Sequence, residues 1–208
     1  ITQIWVAEGT YFPGTSRTDA FIMKNNLAIY GGFPNTGDPG FGDRGADPAT
    51  NGTILSGDIG TVGIADNSYT VVNGSGTDNT AIIDGFTVTA GNADGSTNFP
   101  DPAPRGGGML IYAGSPTVTN CLFLNNIGLL GGGMYNAGAS PVISNCSFIG
   151  NEQTIIGYGG GGLMIEGNAN PTITQCQFEN NHGYTGGGLY FNGPLLTLTD
   201  CVILNNSA

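Results

Sequence analysis

Gly106-Gly107-Gly108-Met109, Gly131-Gly132-Gly133-Met134, Gly160-Gly161-Gly162-Leu163 and Gly186-Gly187-Gly188-Leu189 open four passes through one pattern. Each pass closes on a cysteine, a spacer, a large apolar residue and, three further on, an asparagine. The closings are Cys121-Leu122-Phe123…Asn126, Cys146-Ser147-Phe148…Asn151, Cys176-Gln177-Phe178…Asn181 and Cys201-Val202-Ile203…Asn206. Successive cysteines stand 25, 30 and 25 residues apart. A period in this range marks a stacked repeat architecture.

Alternation inside each pass says which architecture. Val118, Ile143, Ile173 and Leu198 form an apolar column flanked by Thr117/Thr119, Val142/Ser144, Thr172/Thr174 and Thr197/Thr199. That pattern reads as a strand with its apolar member inward. A strict period of two cannot put both Val118 and Cys121 inside, so the chain must bend between them. Asn120, Asn145, Gln175 and Asp200 occupy the bend, and Asn and Asp tolerate left-handed backbone angles. A third short strand leaves each glycine triplet: Met109-Leu110-Ile111, Met134-Tyr135-Asn136, Leu163-Met164-Ile165 and Leu189-Tyr190-Phe191. Three short strands and three bends make one coil of a parallel β-helix. The repeats contain no helical pattern, which argues against leucine-rich or ankyrin-type solenoids.

Gly-Gly-(Met/Leu) followed by Phe-x-x-Asn, with a cysteine two before the Phe, resembles the repeat of chlamydial polymorphic outer-membrane proteins. More broadly it is similar to right-handed parallel β-helices of the pectate-lyase type in bacterial surface and secreted proteins. With the usual crossover rule, the resemblance implies an all-β, right-handed parallel β-helix of about seven coils. It implies little about activity, because the motif residues are structural and one fold hosts adhesins, lyases and hydrolases. Ile203 replaces Phe in the last repeat.

The chain is long enough for one domain, read as 1–208, with irregular coils and two long loops over 1–105 and four regular repeats over 106–208. Its 38 glycines suit tight solenoid turns better than disorder, since 39% of residues are hydrophobic. The formal net charge is -11, and the four basic residues (Arg17, Lys24, Arg44, Arg105) all precede the repeats. Binding to nucleic acid or to an anionic membrane surface is therefore excluded on charge. No stretch approaches the 18 or so apolar residues of a membrane span. An acidic, Lys-poor surface suits an extracellular or cell-surface setting. Stacked one per coil, the cysteines stand about 4.8 Å apart and point the same way. That matches disulfide geometry poorly and favours a buried thiol ladder over two disulfides. Cys121, Cys146, Cys176 and Cys201 are thus expected to line the interior beside Phe123, Phe148, Phe178 and Ile203.

Ahead of the repeats, residues 1–33 read as one opening coil ending on Gly31-Gly32-Phe33. Its Ile-Trp-Val-Ala-Glu-Gly-Thr-Tyr is similar to the first coil of many bacterial β-helix domains, where a capping helix usually precedes it. Residues 34–52 are too rich in Pro, Gly and Asp for a strand and read as an excursion tied down by Arg44 against its own acids. Thr53–Gly57, Tyr69–Val72, Ala81–Ile83 and Phe86–Thr89 supply about two further coils. Asn92–Pro104, stiffened by Pro100, Pro102 and Pro104, reads as a second loop. Glu152–Tyr158 widens the third repeat.

Catalytic signals are sparse. Glycosidases of this fold need paired carboxylates, and Glu152, Glu166, Glu179 and Asp200 are scattered without a same-column pair. An enzymatic site is left to the irregular half, around Asp58, Asp66, Asp78 and Asp84. His182, the single histidine, reads as a solvated turn residue without a serine, cysteine or acid at catalytic spacing. Zinc needs close Cys/His pairs, and these cysteines are a coil apart. No cofactor is expected. Asp66 and Asp78, each followed by Asn, are weak calcium candidates, with solvated acidic turns the plainer alternative.

Two exterior columns stand out. Leu110, Tyr135, Met164 and Tyr190 form an apolar-aromatic stripe, expected on one face in register and touching a partner or a covering loop. The Thr-x-Thr columns resemble the flat arrays of ice-binding β-helices, although Val142/Ser144 interrupts them and outward Thr is ordinary strand composition. The reading as a whole is an extracellular structural or adhesive module. Its expected partners are itself or the rest of a longer chain by end-to-end stacking, as in a filament, and surface glycans. The alternative is a carbohydrate-active lyase or hydrolase working through the irregular half.

Overall fold

The computed structural model describes residues 1–61, 63–95, 105–157 and 159–208. Every strand pairing in it is parallel, and the chain winds through seven coils. The first sheet stacks Thr2–Ala7, Leu27–Phe33, Ile82–Asp84, Thr117–Thr119, Val142–Ser144, Thr172–Thr174 and Thr197–Thr199. The second stacks Gly9–Tyr11, Thr53–Ser56, Thr87–Thr89, Leu122–Leu124, Ser147–Ile149, Gln177–Glu179 and Val202–Leu204. The third runs from Phe21–Ile22 and Val72–Asn73 through Met109–Tyr112, Met134–Ala137 and Leu163–Glu166 to Leu189–Asn192. This is an all-β parallel β-helix.

The bends fall where the phase of the apolar column breaks. Asn120, Asn145, Gln175 and Asp200 all adopt left-handed backbone angles, with φ between 50° and 54°. A second bend follows at Asn125, Gly150, Asn180 and Asn205. The first bend lets Val118, Cys121 and Phe123 all point inward, each fully buried, and the second brings Asn126 inside after them. The glycine triplets lie where neighbouring coils touch. A Cβ on Gly133 would sit 2.4 Å from the carbonyl oxygen of Gly162, so no larger residue fits there.

Inside, the repeats stack like with like. Phe123 and Phe148 lie face to face at 4.8 Å, and Phe148 and Phe178 at 4.9 Å. Those separations are the strand spacing itself. Ile203 continues the column in register with Phe178, half-exposed at the last coil. Cys121, Cys146 and Cys176 are buried, Cys201 is partly buried, and all four are free thiols. The Sγ of Cys121 lies 3.2 Å from the carbonyl oxygen of Thr119, and each later cysteine repeats that contact two residues back. Burial pushes the Cys146 thiol well above the ordinary range.

A second interior ladder is built of asparagines. Asn151 Nδ2 donates to Phe123 O at 2.9 Å and to Asn181 Oδ1 at 3.0 Å. Its Oδ1 accepts from the amide of Asn126 at 3.0 Å and from Asn126 Nδ2 at 3.1 Å. Asn126 and Asn181 repeat the arrangement, and each of the three is completely buried. All four bonding positions of the Asn151 and Asn181 amides are satisfied and Asn126 Oδ1 accepts from the Gly91 amide, which is what allows these side chains into an apolar interior.

The structure corrects several boundaries. Leu27–Phe33 begins the second coil rather than closing the first, because it pairs in parallel with Thr2–Ala7. A small fourth sheet of Asn92–Ala93, Ile127–Gly128 and Glu152–Gln153 adds a strand to the middle coils. Asn92 and Glu152 therefore start strands where the sequence suggested loop and widened turn. Pro100, Pro102, Pro104 and Tyr158 lie outside the described residues.

Residues 34–52 fold over the outer face of the first sheet. Phe41, in a single 3-10 turn, packs against Trp5, Tyr30 and Phe33. Arg44 Nε donates to Gly31 O at 2.6 Å, and its Nη2 pairs with Asp84. The anchoring acid thus belongs to the third coil, not to the excursion itself. Asp84 also accepts from Asn120 Nδ2 at 2.8 Å, and Asn145 Nδ2 donates on to Asn120 Oδ1 at 2.6 Å. One buried ion pair thereby ties the loop to the regular coils.

Candidate functional site

The four stripe residues pair in register on the outer face of the third sheet, Leu110 with Tyr135, Tyr135 with Met164, and Met164 with Tyr190. They are not bare. Leu110, Tyr135 and Met164 are buried in a second apolar cluster with Leu130 and Ala137, against which Ile155 and Tyr190 pack. Leu130 and Ile155 come from the segments between the second and third sheets, so the chain covers its own stripe. Beside the covered stripe, half-exposed side chains of the same sheet form a rim.

That rim encloses an open groove of about 710 Å³. Its floor is Leu110, Tyr135 and Ala137, and Tyr112, about half exposed, stands at its edge. Asn73 and Ser75 line one end and Asn192 the other. One wall consists of Ala113, Gly138 and Gly167, all in the left-handed region with φ of 51°, 59° and 77°. This wall carries nothing larger than a methyl group, and a Cβ placed on Gly138 would meet nothing within 4 Å. Strand exit geometry thus keeps one side of the groove clear.

At the centre, Tyr135 Oη donates to Glu166 Oε1. Arg105 sits over the Tyr135 ring, 5.7 Å from its centroid. Burial, then the hydrogen bond and charge of Glu166, push the phenol far above its ordinary value, and Arg105 opposes them in part. Tyr135 therefore stays protonated at any physiological pH and serves as a fixed donor rather than a base. Glu166, held by that hydrogen bond, lines the groove.

The other sequence candidates are placed apart from this groove. Asp66 Oδ2 accepts from the amide and hydroxyl of Thr61, and those donors hold its carboxyl below the usual carboxylate range. The hydroxyl and amide of Thr80 do the same for Asp78. Among the described residues no three His, Cys, Asp or Glu side chains group as metal ligands. Asp84 is engaged by Arg44, and Asp58 is exposed. His182 does gain a neighbour that spacing did not reveal, with Nδ1 2.9 Å from Ser207 Oγ. Among the described residues no carboxylate pairs with its ring to orient it.

The groove itself escaped the sequence. Arg105, Tyr135 and Glu166 are 30 and 31 residues apart and meet because adjacent coils stack. The usable signal was the register: Tyr112, Ala137, Glu166 and Asn192 occupy one column, three residues after Met109, Met134, Leu163 and Leu189. Residues 61–208 match the family described as the right-handed beta helix region. No curated protein and no solved structure matches the chain.

Proposed function

This chain belongs to the family of right-handed β-helix regions, and on that premise we propose that it is a non-catalytic structural and adhesive module of an extracellular surface. Within the family, the glycine-triplet and Cys-x-Phe-x-x-Asn repeats support a closer kinship with the pectate-lyase type and with the chlamydial outer-membrane repeats. One observation carries the adhesive reading: an open groove of about 710 Å³ crosses the outer face of the third sheet. That volume is typical of a ligand site, and the groove has an apolar floor with a few convergent polar groups. Its polar centre is a protonated phenol bound to a single carboxylate, an arrangement suited to holding a ligand rather than to acid–base turnover.

Retention of the fluorescent domain on insoluble surface polymers, both polysaccharide and fibrous protein, tests the reading. Product release from each polymer is measured in parallel. Retention without release, weakened by Gly138→Asn, is the expected result. Asn tolerates the left-handed angle there and adds an amide to the clear wall. Release of cleaved product would overturn it in favour of the carbohydrate-active enzyme.

A second proposal concerns the last coil. Leu198, Val202 and Ile203 are 40%, 51% and 51% exposed, although Leu198 and Ile203 continue interior columns. A further coil, from a longer chain or from a second copy, would cover that apolar edge and extend the parallel ladders. Light scattering at rising concentration separates the sources. Mass that grows with concentration identifies a second copy, and a constant monomer excludes it.

A further inference from the structure

We infer that the groove takes an uncharged, hydroxyl-rich linear polymer, a neutral glycan strand lying along the solenoid axis across the strands. This rests on the adhesive reading and specifies its ligand. Direction comes first. The lining residues Asn73, Leu110, Tyr135, Glu166 and Asn192 belong to five successive coils. Four strand steps make the groove roughly 19 Å long and perpendicular to every strand it crosses. A peptide adding to a sheet edge is a poor fit, because Met109–Tyr112, Met134–Ala137 and Leu163–Glu166 are each paired on both sides.

Polarity comes next. The groove is lined by an acceptor-only carboxylate at Glu166 and by groups of both kinds at Asn73, Ser75 and Asn192, with the Arg105 guanidinium engaged beside Tyr135. A hydroxyl both donates and accepts, so a polyol answers every one of them. A polyanion would meet Glu166 and a chain of net charge -11, with no Lys or Arg after Arg105. A polycation would bring its charge against Arg105, which lines the groove over the Tyr135 ring. Tyr112, about half exposed at the edge, offers a ring face to the apolar side of a sugar, and the Ala113–Gly138–Gly167 wall leaves room for the strand to lie flat.

Calorimetric titration of the intact domain with soluble hexasaccharides tests the inference, using neutral β-1,4-glucan and β-1,4-mannan against acidic hexagalacturonate at low and high salt. The expected result is binding of a neutral hexasaccharide with little salt dependence. Tyr112→Ala and Gly138→Asn should each weaken it about tenfold, with melting curves confirming the fold. Tighter, salt-sensitive binding of hexagalacturonate overturns the neutral class while leaving an adhesive groove standing. Absence of binding to every hexasaccharide also overturns it, and retention on fibrous protein would then leave only the adhesive reading. Binding unchanged by both substitutions places the site elsewhere and removes both.

Discussion

Coils four to seven and coils one to three share one backbone path and are held by different means. In the later coils two interior columns repeat one residue type from coil to coil, the phenyl column from Phe123 to Phe178 and the asparagine ladder from Asn126 to Asn206. In the earlier coils the corresponding interior positions hold Tyr11, Leu55 and Val88, with no repeated partner. Their order depends on single long-range ties: Arg44 to Asp84, and Arg17 to Asp94 and the backbone of Asn67 and Asn92. Repetition distributes stability over every interface, whereas the irregular coils concentrate it at a few points.

The largest expected effect strikes the phenyl column at its centre. Phe148→Ala removes a fully buried ring that stacks on both neighbours and should cost about 3–5 kcal/mol, read from denaturant midpoints at constant slope. A loss no greater than a surface substitution would break the claim that the column matters. Asn151→Ala comes next, at about 3 kcal/mol, because it strands the amides of Asn126 and the carbonyl of Phe123 in an apolar interior.

Arg44→Ala probes the other half. It leaves Asp84 buried beside the loop without its cation and should cost about 3 kcal/mol, with residues 34–52 becoming the first site of proteolysis. Arg44→Met with Asp84→Asn should recover much of that loss, since a buried pair contributes less than its breakage costs. Recovery in the double variant sharpens the contrast, because no single exchange repairs a gap in a ladder.

These expectations show what could be read from the residues. The four bends were legible because an apolar column changes phase at Asn120, Asn145, Gln175 and Asp200. The asparagines were visible as a motif, but their place inside was not, since a buried amide is tolerable only with the next coil's amide in hand. The fourth sheet was hidden by its two-residue strands, too short to alternate. The groove was hidden for a related reason: its residues share a register rather than a segment. Arg44 was recognised as an anchor, yet its acid lay 40 residues on, beyond any local pattern.

A smaller effect is expected at Tyr135. Tyr135→Phe removes one hydrogen bond to a carboxylate and should cost about 1.5–3 kcal/mol. An unfolded tyrosine ionises near 10 and the folded one ionises higher, so the folded state binds more protons above that pH. The contribution of this group to stability should therefore be constant below about pH 10 and be lost as pH rises beyond it, so that stability falls more steeply in the native chain than in Tyr135→Phe. Equal slopes would contradict the buried phenol. The mildest test is chemical: alkylation after unfolding without reductant should label all four cysteines, and brief labelling of the native chain should reach Cys201 first.

Native-state hydrogen exchange, followed strand by strand, tests the contrast between the halves most directly. The slowest amides should lie in Leu122–Leu124, Ser147–Ile149 and Gln177–Glu179, the strands that carry the phenyl column, and should exchange only with global unfolding. Gly9–Tyr11, Phe21–Ile22 and the segment 34–52 should open earlier, and Arg44→Ala should hasten them without touching the phenyl strands. Protection that is greatest in coils one to three, or a loss at Arg44 that spreads evenly through all seven coils, would contradict the account.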